Sequence, residues 1–302
     1  MHYSYAKLSR YDLGLVRFLG TGLGNLLFPW ARFAVATRKY GLTPISPTWF
    51  QVRVGTLLRK EADKRFYNGI FRTPSGQISG WTKLYLLSTL PRISEVEFLS
   101  AEKRRWREML VVFQGSEAYF SSLLRDHELV KDELLKMTLD KHKRGLMYNF
   151  GLSISVHVRL GDFSVPQTSE LIKEGRVNCR LPISWYVRVV NQIRSGLGAK
   201  LPVYVFSDGT DEELSELLAL RSSQRLGFGS SIADLLALSR SHLLVASGST
   251  FSMWASYLGR MPVIWHIGQL RQRLYYEKPE AEIECGERGE IPASFLAQVA
   301  SP

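Results

Sequence analysis

The amino-acid sequence predicts an α/β protein, and its second half predicts a doubly wound domain with a parallel sheet. Between residues 146 and 275, short runs rich in β-branched residues alternate with segments of helical pattern. Helix-start signals precede two of those helical segments: Pro182 at one first turn, and Thr210 with Glu213 three residues later as a capping box. Alternating strands and helices form βαβ units, and these place the strands parallel.

The first half of the chain, residues 1–145, is patterned less clearly. It predicts an apolar strand over 13–19, a glycine-rich turn over 20–25 and a helix over 26–40. Gly41 is the expected left-handed cap of that helix. Residues 43–100 are weakly patterned, and no order of elements is predicted there, whereas charged helices are predicted over 100–112 and 121–140.

The elements of the second half follow one another at regular spacing. The predicted strands cover 153–158, 201–206, 243–246 and 262–266, and the predicted helices cover 182–196, a segment from 210, 232–240 and 250–258. Near residue 145 the weakly patterned first half gives way to regularly alternating strand and helix patterns. This change predicts two domains, 1–145 and 146–302, with a C-terminal tail from about residue 276.

Ionisable side chains follow the first clear strand of the second half, in the stretch His157 to Phe163 (HVRLGDF). In α/β sheets, ligands are held at the carboxyl ends of strands. Arg159 suits a phosphate because its planar guanidinium donates two parallel charge-assisted hydrogen bonds and keeps its proton. The alternative interpretation is a structural ion pair between Arg159 and Asp162.

Other turns between a strand and a helix carry the same two interpretations. Asp208 follows the second strand, where it suits a base or ribose or an ordinary turn. The hydroxyl-rich segment 247–252 suits a phosphate at a helix N-terminus, or N-capping by Ser249 or Thr250 alone. The glycine-rich turn 20–25 suits an anion or a tight connection in which Asn25 is the N-cap. Several such sites together favour a nucleotide site.

Composition limits the choice of partner and location. The chain has 39 basic and 28 acidic residues, a net charge of +11, which favours a nucleotide, nucleic acid or acidic membrane surface. Two cysteines provide neither a disulfide framework nor metal-ligand spacing. There is no secretory signal, and the most apolar segment, 18–31, is short for a membrane span. We therefore expect a cytoplasmic protein, peripheral at most at the inner face of the membrane.

Four segments in order resemble the α-1,2-fucosyltransferase family and its wider superfamily. They are GLGNLLFPWA at 22–31, VHVRLGDF at 156–163, FSDG at 206–209 and DLLALSRSHLLVASGSTFSMWASYL at 234–258. These are similar to the family's GLGNQMFQYA-type, HVRRGDY, FSDD and closing NSTFSWWGA motifs. The last is the longest and the most specific.

The resemblance implies a GT-B-like fold, in which two Rossmann-like domains face a central cleft. It implies an acceptor-side domain over 1–145 and a nucleotide-sugar domain over 146–302, with a metal-independent, inverting mechanism, GDP-fucose as donor and no cofactor. By position, Arg159 would clamp the diphosphate and stabilise the leaving group. Asn25 is carried over as the second catalytic residue, at the donor sugar. The donor-binding residues carried over are Gly22 and Gly24 at the donor sugar, His157, Asp162 and Asp208 in the nucleotide pocket, and Ser249, Thr250, Phe251 and Ser252 at the phosphate or sugar.

Some positions depart from the family pattern. Leu160 replaces the second arginine of the hallmark, Gly248 replaces an asparagine and Met253 a tryptophan. Leu26 and Pro29-Trp30 differ in the first motif, and no general base is identified.

The predicted function is therefore transfer of fucose to a glycan acceptor, free or lipid-linked. The expected product is an α-1,2 linkage to a galactose-type residue of a surface-glycan (O-antigen-type) precursor. We also expect peripheral contact between the protein and an anionic membrane. One alternative is the same fold with another GDP-, UDP- or dTDP-sugar, which the departures at Leu160 and Gly248 favour. The other is a non-enzymatic nucleic-acid-binding protein, which only the charge favours.

Overall fold

The computed structural model describes residues 2–52, 67, 69–100, 108–116, 118–198 and 200–300. The chain forms two compact units, Met1–Lys141 and His142–Pro302, and each contains a parallel sheet. Within the ranges described, no helix combines the length and apolarity needed to cross a membrane.

The first unit contains a four-stranded parallel sheet and a smaller three-stranded sheet. Its strands are β1 His2–Ala6, β2 Tyr11–Asp12, β3 Arg17–Phe18, β4 Thr43–Ile45, β5 Gln51–Val52, β6 Arg92–Ser94 and β7 Met109–Phe113. Its α-helices are α1 Leu23–Tyr40, α2 Gly80–Thr89, α3 Glu95–Ser100 and α4 His127–Met137, with 3₁₀ turns at Leu124–Asp126 and Asp140–His142. The sheet orders are β4-β1-β7-β6 and β2-β3-β5.

The strand predicted over 13–19 is wrong, because only Arg17–Phe18 pairs in that segment and the first strand of the main sheet is β1. The leucines that suggested a buried strand, Leu13 and Leu15, are mostly exposed. Their apolarity therefore does not report burial in the core.

Helix α1 begins earlier than predicted, and Asn25 is not its N-cap. The N-cap is Gly22, whose extended backbone places its carbonyl to accept the N–H of Asn25 at 3.1 Å. Gly24 and Asn25 consequently lie in the first turn of the helix rather than in a loop. The helix ends at Gly41 with a φ of 62°, so the predicted left-handed cap is confirmed.

The charged helix predicted over 100–112 falls largely on residues 101–107, which lie outside the described residues. Beyond them the prediction is wrong, since β7 occupies Met109–Phe113 with the β-branched sequence MLVVF. The helix predicted over 121–140 is confirmed over His127–Met137.

The second unit contains one six-stranded, fully parallel sheet. Its strands are β8 Ile154–Val158, β9 Val203–Ser207, β10 Ser223–Arg225, β11 Leu243–Val245, β12 Val263–His266 and β13 Glu282–Cys285. Its α-helices are α5 Ser169–Lys173, α6 Ile183–Leu197, α7 Ser215–Leu218, α8 Ser231–Leu238, α9 Thr250–Gly259 and α10 Ala293–Ala300, with 3₁₀ turns at Arg144–Met147 and Pro279–Ala281. The strand order is β10-β9-β8-β11-β12-β13. The four predicted strands are confirmed.

The segment from about residue 276, predicted as a tail, is part of the folded unit. Strand β13 pairs in parallel with β12, and Phe295, Leu296 and Val299 of α10 are buried in the core. Short elements of this kind bury apolar residues that a sequence pattern of only four residues does not identify.

Strand β8 lies at the point where the order of the sheet reverses. From β8 the chain adds β9 and β10 on one side, and then returns to place β11 on the other side of β8. The crevice outside the carboxyl ends of strands at such a switch point is where α/β sheets bind ligands. The carboxyl ends of β8 and β11 therefore border the expected ligand-binding crevice.

Candidate functional site

His157 is the last but one residue of β8 and is buried, with 6% of its surface exposed. Its Nδ1 lies 2.7 Å from Ser252 Oγ and 3.0 Å from Ser247 Oγ, and its ring stacks on Phe251 with centroids 5.0 Å apart. Burial, assisted by the positive charge of Arg159, lowers the pKa of His157 to about 3. The imidazole is therefore neutral at pH 7 and makes hydrogen bonds without adding charge.

Three serine hydroxyls meet at the N-terminus of α9. Ser247 Oγ lies 2.9 Å from Ser249 Oγ and 3.1 Å from Ser252 Oγ. Ser249 is the N-cap, since its hydroxyl accepts the backbone N–H of Ser252 at 3.3 Å. The capping interpretation is thus correct for Ser249, but it accounts for only one of the hydroxyls; Thr250 follows as the first residue of the helix.

Arg159 follows β8 and is held by two carboxylates. One Nη donates to Asp162 Oδ1 at 2.6 Å, and the other pairs with Asp208 Oδ2 at 2.7 Å. Asp208 also accepts the backbone N–H of Leu160 at 2.8 Å, so it fixes both the guanidinium and the loop. The ion pair with Asp162 exists, but the sequence did not identify Asp208 as a second partner.

The guanidinium of Arg159 remains able to bind a ligand. Its side chain is 23% exposed. Among the described residues, two of its five N–H groups donate to carboxylates, which leaves three for another acceptor. It also lies 5.5 Å from the ring centroid of Phe163.

Two glycines allow the loops after β8 and β9 to approach one another. A Cβ at Gly161 would collide with the Asp208 carboxylate, and one at Gly209 would collide with the Leu160 side chain. Both loops therefore need glycine for close approach rather than for an unusual φ. This contact brings Asp208 within reach of Arg159.

Gln269 is a residue of this region that sequence reasoning missed. Its buried side chain fills the space beside Gly248, where a Cβ would collide with its Oε1. The Nε2 group of Gln269 donates to the Ile172 carbonyl at 2.9 Å, and Arg271 donates to the Gly248 carbonyl at 2.8 Å. A side-chain amide thus occupies the neighbourhood where the family pattern has asparagine, and no sequence signal indicates it.

Gly22, Gly24 and Asn25 lie in the first unit, at the N-terminus of α1. Nothing lies within 4 Å of a Cβ built at Gly22, so no close contact requires glycine there. The first amides of α1 and its dipole favour a negatively charged or polar group. Of the predicted site residues, the second unit brings together His157, Arg159, Asp162, Asp208, Ser249, Phe251 and Ser252.

Comparison with known families gives a direct result. The sequence profile of the family described as glycosyl transferase family 11 matches residues 97–267, which is more than half of the chain. The chain belongs to glycosyl transferase family 11. The motifs at 156–163, 206–209 and 234–258 lie inside the matched region, and the motif at 22–31 lies outside it.

Membership of glycosyl transferase family 11 confirms the family resemblance and makes the protein a glycosyltransferase. No curated protein matches the chain. Among solved structures, it resembles the NodZ α-1,6-fucosyltransferase soaked with GDP-fucose, with a TM-score of 0.51 and 13% identity over 87% of this chain and 95% of that one. It also resembles the selenomethionine form of fucosyltransferase NodZ from Bradyrhizobium, with a TM-score of 0.50 and 12% identity over 87% and 94%. These likenesses establish the fold, so the predicted GT-B-like α/β class is confirmed.

Proposed function

We propose that this family 11 enzyme is an inverting, metal-independent fucosyltransferase that uses GDP-fucose and needs no cofactor. The observation that carries the proposal is the position of Arg159. It is a partly exposed guanidinium at the strand-order switch, with N–H groups available to a diphosphate. The structurally similar NodZ enzyme was soaked with GDP-fucose, which supports this choice of donor.

Arg159 would bind the diphosphate while Asp208 holds it in position. Asp208 is the less exposed partner and is fixed by the Leu160 amide, whereas Asp162 is 39% exposed. We therefore assign Asp162 as the partner that phosphate oxygens displace. As the bond between fucose C1 and the diphosphate oxygen breaks, the electron pair moves to that oxygen, and a positioned guanidinium stabilises the developing charge.

The N-terminus of α9 would contribute the second set of donors. Helix amides at a first turn lack intrahelical acceptors, and the hydroxyls of Ser249, Thr250 and Ser252 lie at that turn. His157 is neutral and buried against Phe251, so it would shape the nucleotide pocket without repelling or attracting charge. Asn25, with Gly22 and Gly24, stays a prediction for the donor sugar.

For the acceptor, we propose a galactose-type residue of a surface-glycan precursor, free or lipid-linked, with an α-1,2 linkage. The four-motif resemblance supports the linkage, and the net charge of +11 supports work at the cytoplasmic face of an anionic membrane. The second candidate is the same reaction with another nucleotide sugar. It is favoured by Leu160, whose side chain is buried against Gly209 and supplies no second guanidinium.

The test is ligand-induced stabilisation by GDP, GDP-fucose, GDP-mannose, UDP, UDP-galactose and dTDP. Ligand at a hundred times its Kd stabilises the native state by about 2.7 kcal/mol, which raises the melting temperature. We expect the guanosine ligands to stabilise the wild type and Arg159→Ala to lose that response. Arg260→Ala is the matched control, since Arg260 is 22% exposed and pairs with one carboxylate, Glu277.

The outcomes separate the candidates. Stabilisation by UDP or dTDP ligands alone would keep the fold and family but reject the GDP-fucose donor. An unchanged response in Arg159→Ala would remove the diphosphate role from Arg159. Binding of RNA or DNA with steep salt dependence, together with no response to any nucleotide, would favour the nucleic-acid alternative.

A further inference from the structure

The first unit exposes large apolar side chains in two separate segments of the chain, 11–15 and 81–85. On α2, Trp81 is 84% exposed and Tyr85 is 66% exposed. In the segment before β3, Tyr11, Leu13 and Leu15 are each at least half exposed. We call these five residues the aromatic–leucine surface. Scattered apolar residues on a surface need no explanation, but a contiguous set marks an interaction site.

The backbone at Gly14 joins the two parts of this surface. A Cβ at Gly14 would lie 2.6 Å from Leu84 Cδ2 and 3.3 Å from Leu87 Cδ1, so the loop packs directly on α2. Trp81 and Tyr85 are four residues apart and share one face of that helix. The loop that carries Leu13 and Leu15 therefore packs against the same helix that exposes Trp81 and Tyr85.

Polar groups, of which Thr48 and Lys83 are buried, fix the loop beneath the surface. Asp12 accepts the N–H of Gly14 at 2.9 Å, and Thr48 donates to its carbonyl at 2.9 Å. Thr48 in turn accepts a hydrogen bond from Lys83 at 3.0 Å. Helix α2 thus buries its lysine and exposes its tryptophan, the reverse of the pattern of a helix in a soluble core.

The charge of the first unit favours an anionic partner for this surface. Residues 1–141 contain 22 basic and 13 acidic residues, whereas residues 142–302 contain 17 and 15, so nine of the eleven excess positive charges belong to the first unit. Arg10 lies 5.8 Å from the Tyr11 ring centroid, and exposed Arg92 donates to the Leu87 carbonyl at the end of α2. Basic residues beside apolar ones attract a negatively charged lipid surface.

We propose that the aromatic–leucine surface docks the protein on an anionic lipid bilayer. Tryptophan and tyrosine favour the headgroup level of a membrane, and the leucines reach the acyl boundary. Binding of a glycan to this surface would account for the exposed aromatic rings but not for the two exposed leucines. A second copy of the chain would bring together two units of the same positive charge. This inference rests on the proposed function only for the role of membrane docking, which would give the enzyme access to a lipid-linked acceptor.

The experiment is sedimentation of the full chain with vesicles of phosphatidylcholine alone and of phosphatidylcholine with phosphatidylglycerol, without nucleotide. We expect binding to the anionic vesicles only, and a loss of about tenfold or more for Trp81→Ser with Tyr85→Ser, given the apolar area removed. Both side chains are exposed, so the double variant should fold. Tyr276→Ser is the matched control, since Tyr276 is 46% exposed in the second unit.

Equal binding by the wild type and the double variant would overturn the proposal, as would equal binding to both vesicle types. Dimerisation that the double variant abolishes would assign the surface to a second copy of the chain. Loss of glycan binding without loss of vesicle binding would assign it to a glycan. Stabilisation by GDP is measured on the same variants and should not change. A failed donor assignment is thereby distinguished from a failed membrane surface.

Discussion

Each unit contains an arginine near its glycine-containing loops, but the two arginines are used in opposite ways. Arg17 in β3 is completely buried; its Nε donates to the Thr48 carbonyl at 2.9 Å, and its guanidinium lies 5.8 Å from the Tyr67 ring centroid. Arg159 after β8 is partly exposed and pairs with two carboxylates. The first arginine is built into the fold, whereas the second can reach a ligand.

The buried ionisable groups show the same contrast. Burial lowers the pKa of Lys83 to about 8, so most of it is charged at pH 7. Its ammonium lies over the Tyr5 ring and donates to Thr48, beneath the loop that it helps to fix. His157 is neutral at pH 7 among the serines of the candidate site. An ionisable residue near a turn therefore indicates a site only when its exposure and its neighbours leave it available.

The largest effects should come from exchanging the two arginines for alanine. Arg17→Ala leaves the Thr48 carbonyl without its donor and opens a cavity, so we expect the free energy of unfolding to fall by about 3 kcal/mol or more. Arg159→Ala should lower it by only about 1 kcal/mol, because its ion pairs are partly exposed to solvent and such pairs contribute little. Urea unfolding measures the stability of both variants. In a GDP titration, Arg159→Ala should lose more affinity for GDP than Arg17→Ala. Similar losses of stability in the two variants would show that the contrast in burial has no energetic consequence.

Much of the second unit could be predicted from sequence because its strands are continuous buried runs. All five residues of β8 and all four of β12 are buried, which is what their β-branched and aromatic sequences indicate. In the first unit, β2, β3 and β5 have two residues each, too few for a periodic signal. The exposed residues Leu13 and Leu15 produced the apolar pattern that led to the wrong prediction of a strand over 13–19.

Within the candidate site, the contacts that the sequence could indicate join residues that are close together in sequence. Arg159 with Asp162, and Ser249 with Ser252, follow from local motifs. The pairing of Arg159 with Asp208 joins segments about fifty residues apart in sequence and depends on strand order, which local patterns do not contain. Gln269 beside Gly248 is a similar tertiary contact, so only the structure reveals it.

A smaller effect should follow from acidification, through His157. Its folded pKa of about 3 lies below the unfolded value, so between these values the unfolded state binds more protons and stability falls as pH falls. Between pH 6.5 and 5 this loss should reach about 2 kcal/mol. His157→Asn keeps an acceptor near Ser252 but cannot titrate. Urea unfolding at both pH values should give a shallower loss for the variant, and parallel losses would mean that His157 is not buried in neutral form.

The smallest effect concerns two helix caps that share one chemistry but not one location. Ser249 caps α9 in the candidate site, and Ser230 caps α8 by accepting the N–H of Ala233 at 3.4 Å. Alanine at either position should lower the free energy of unfolding by about 1 kcal/mol, since one helix amide loses its acceptor in each case. Only Ser249→Ala should also weaken GDP binding, because its hydroxyl belongs to the serine cluster beside His157. If both variants bind GDP as the wild type does, Ser249 acts only as a helix cap and its hydroxyl has no part in GDP binding.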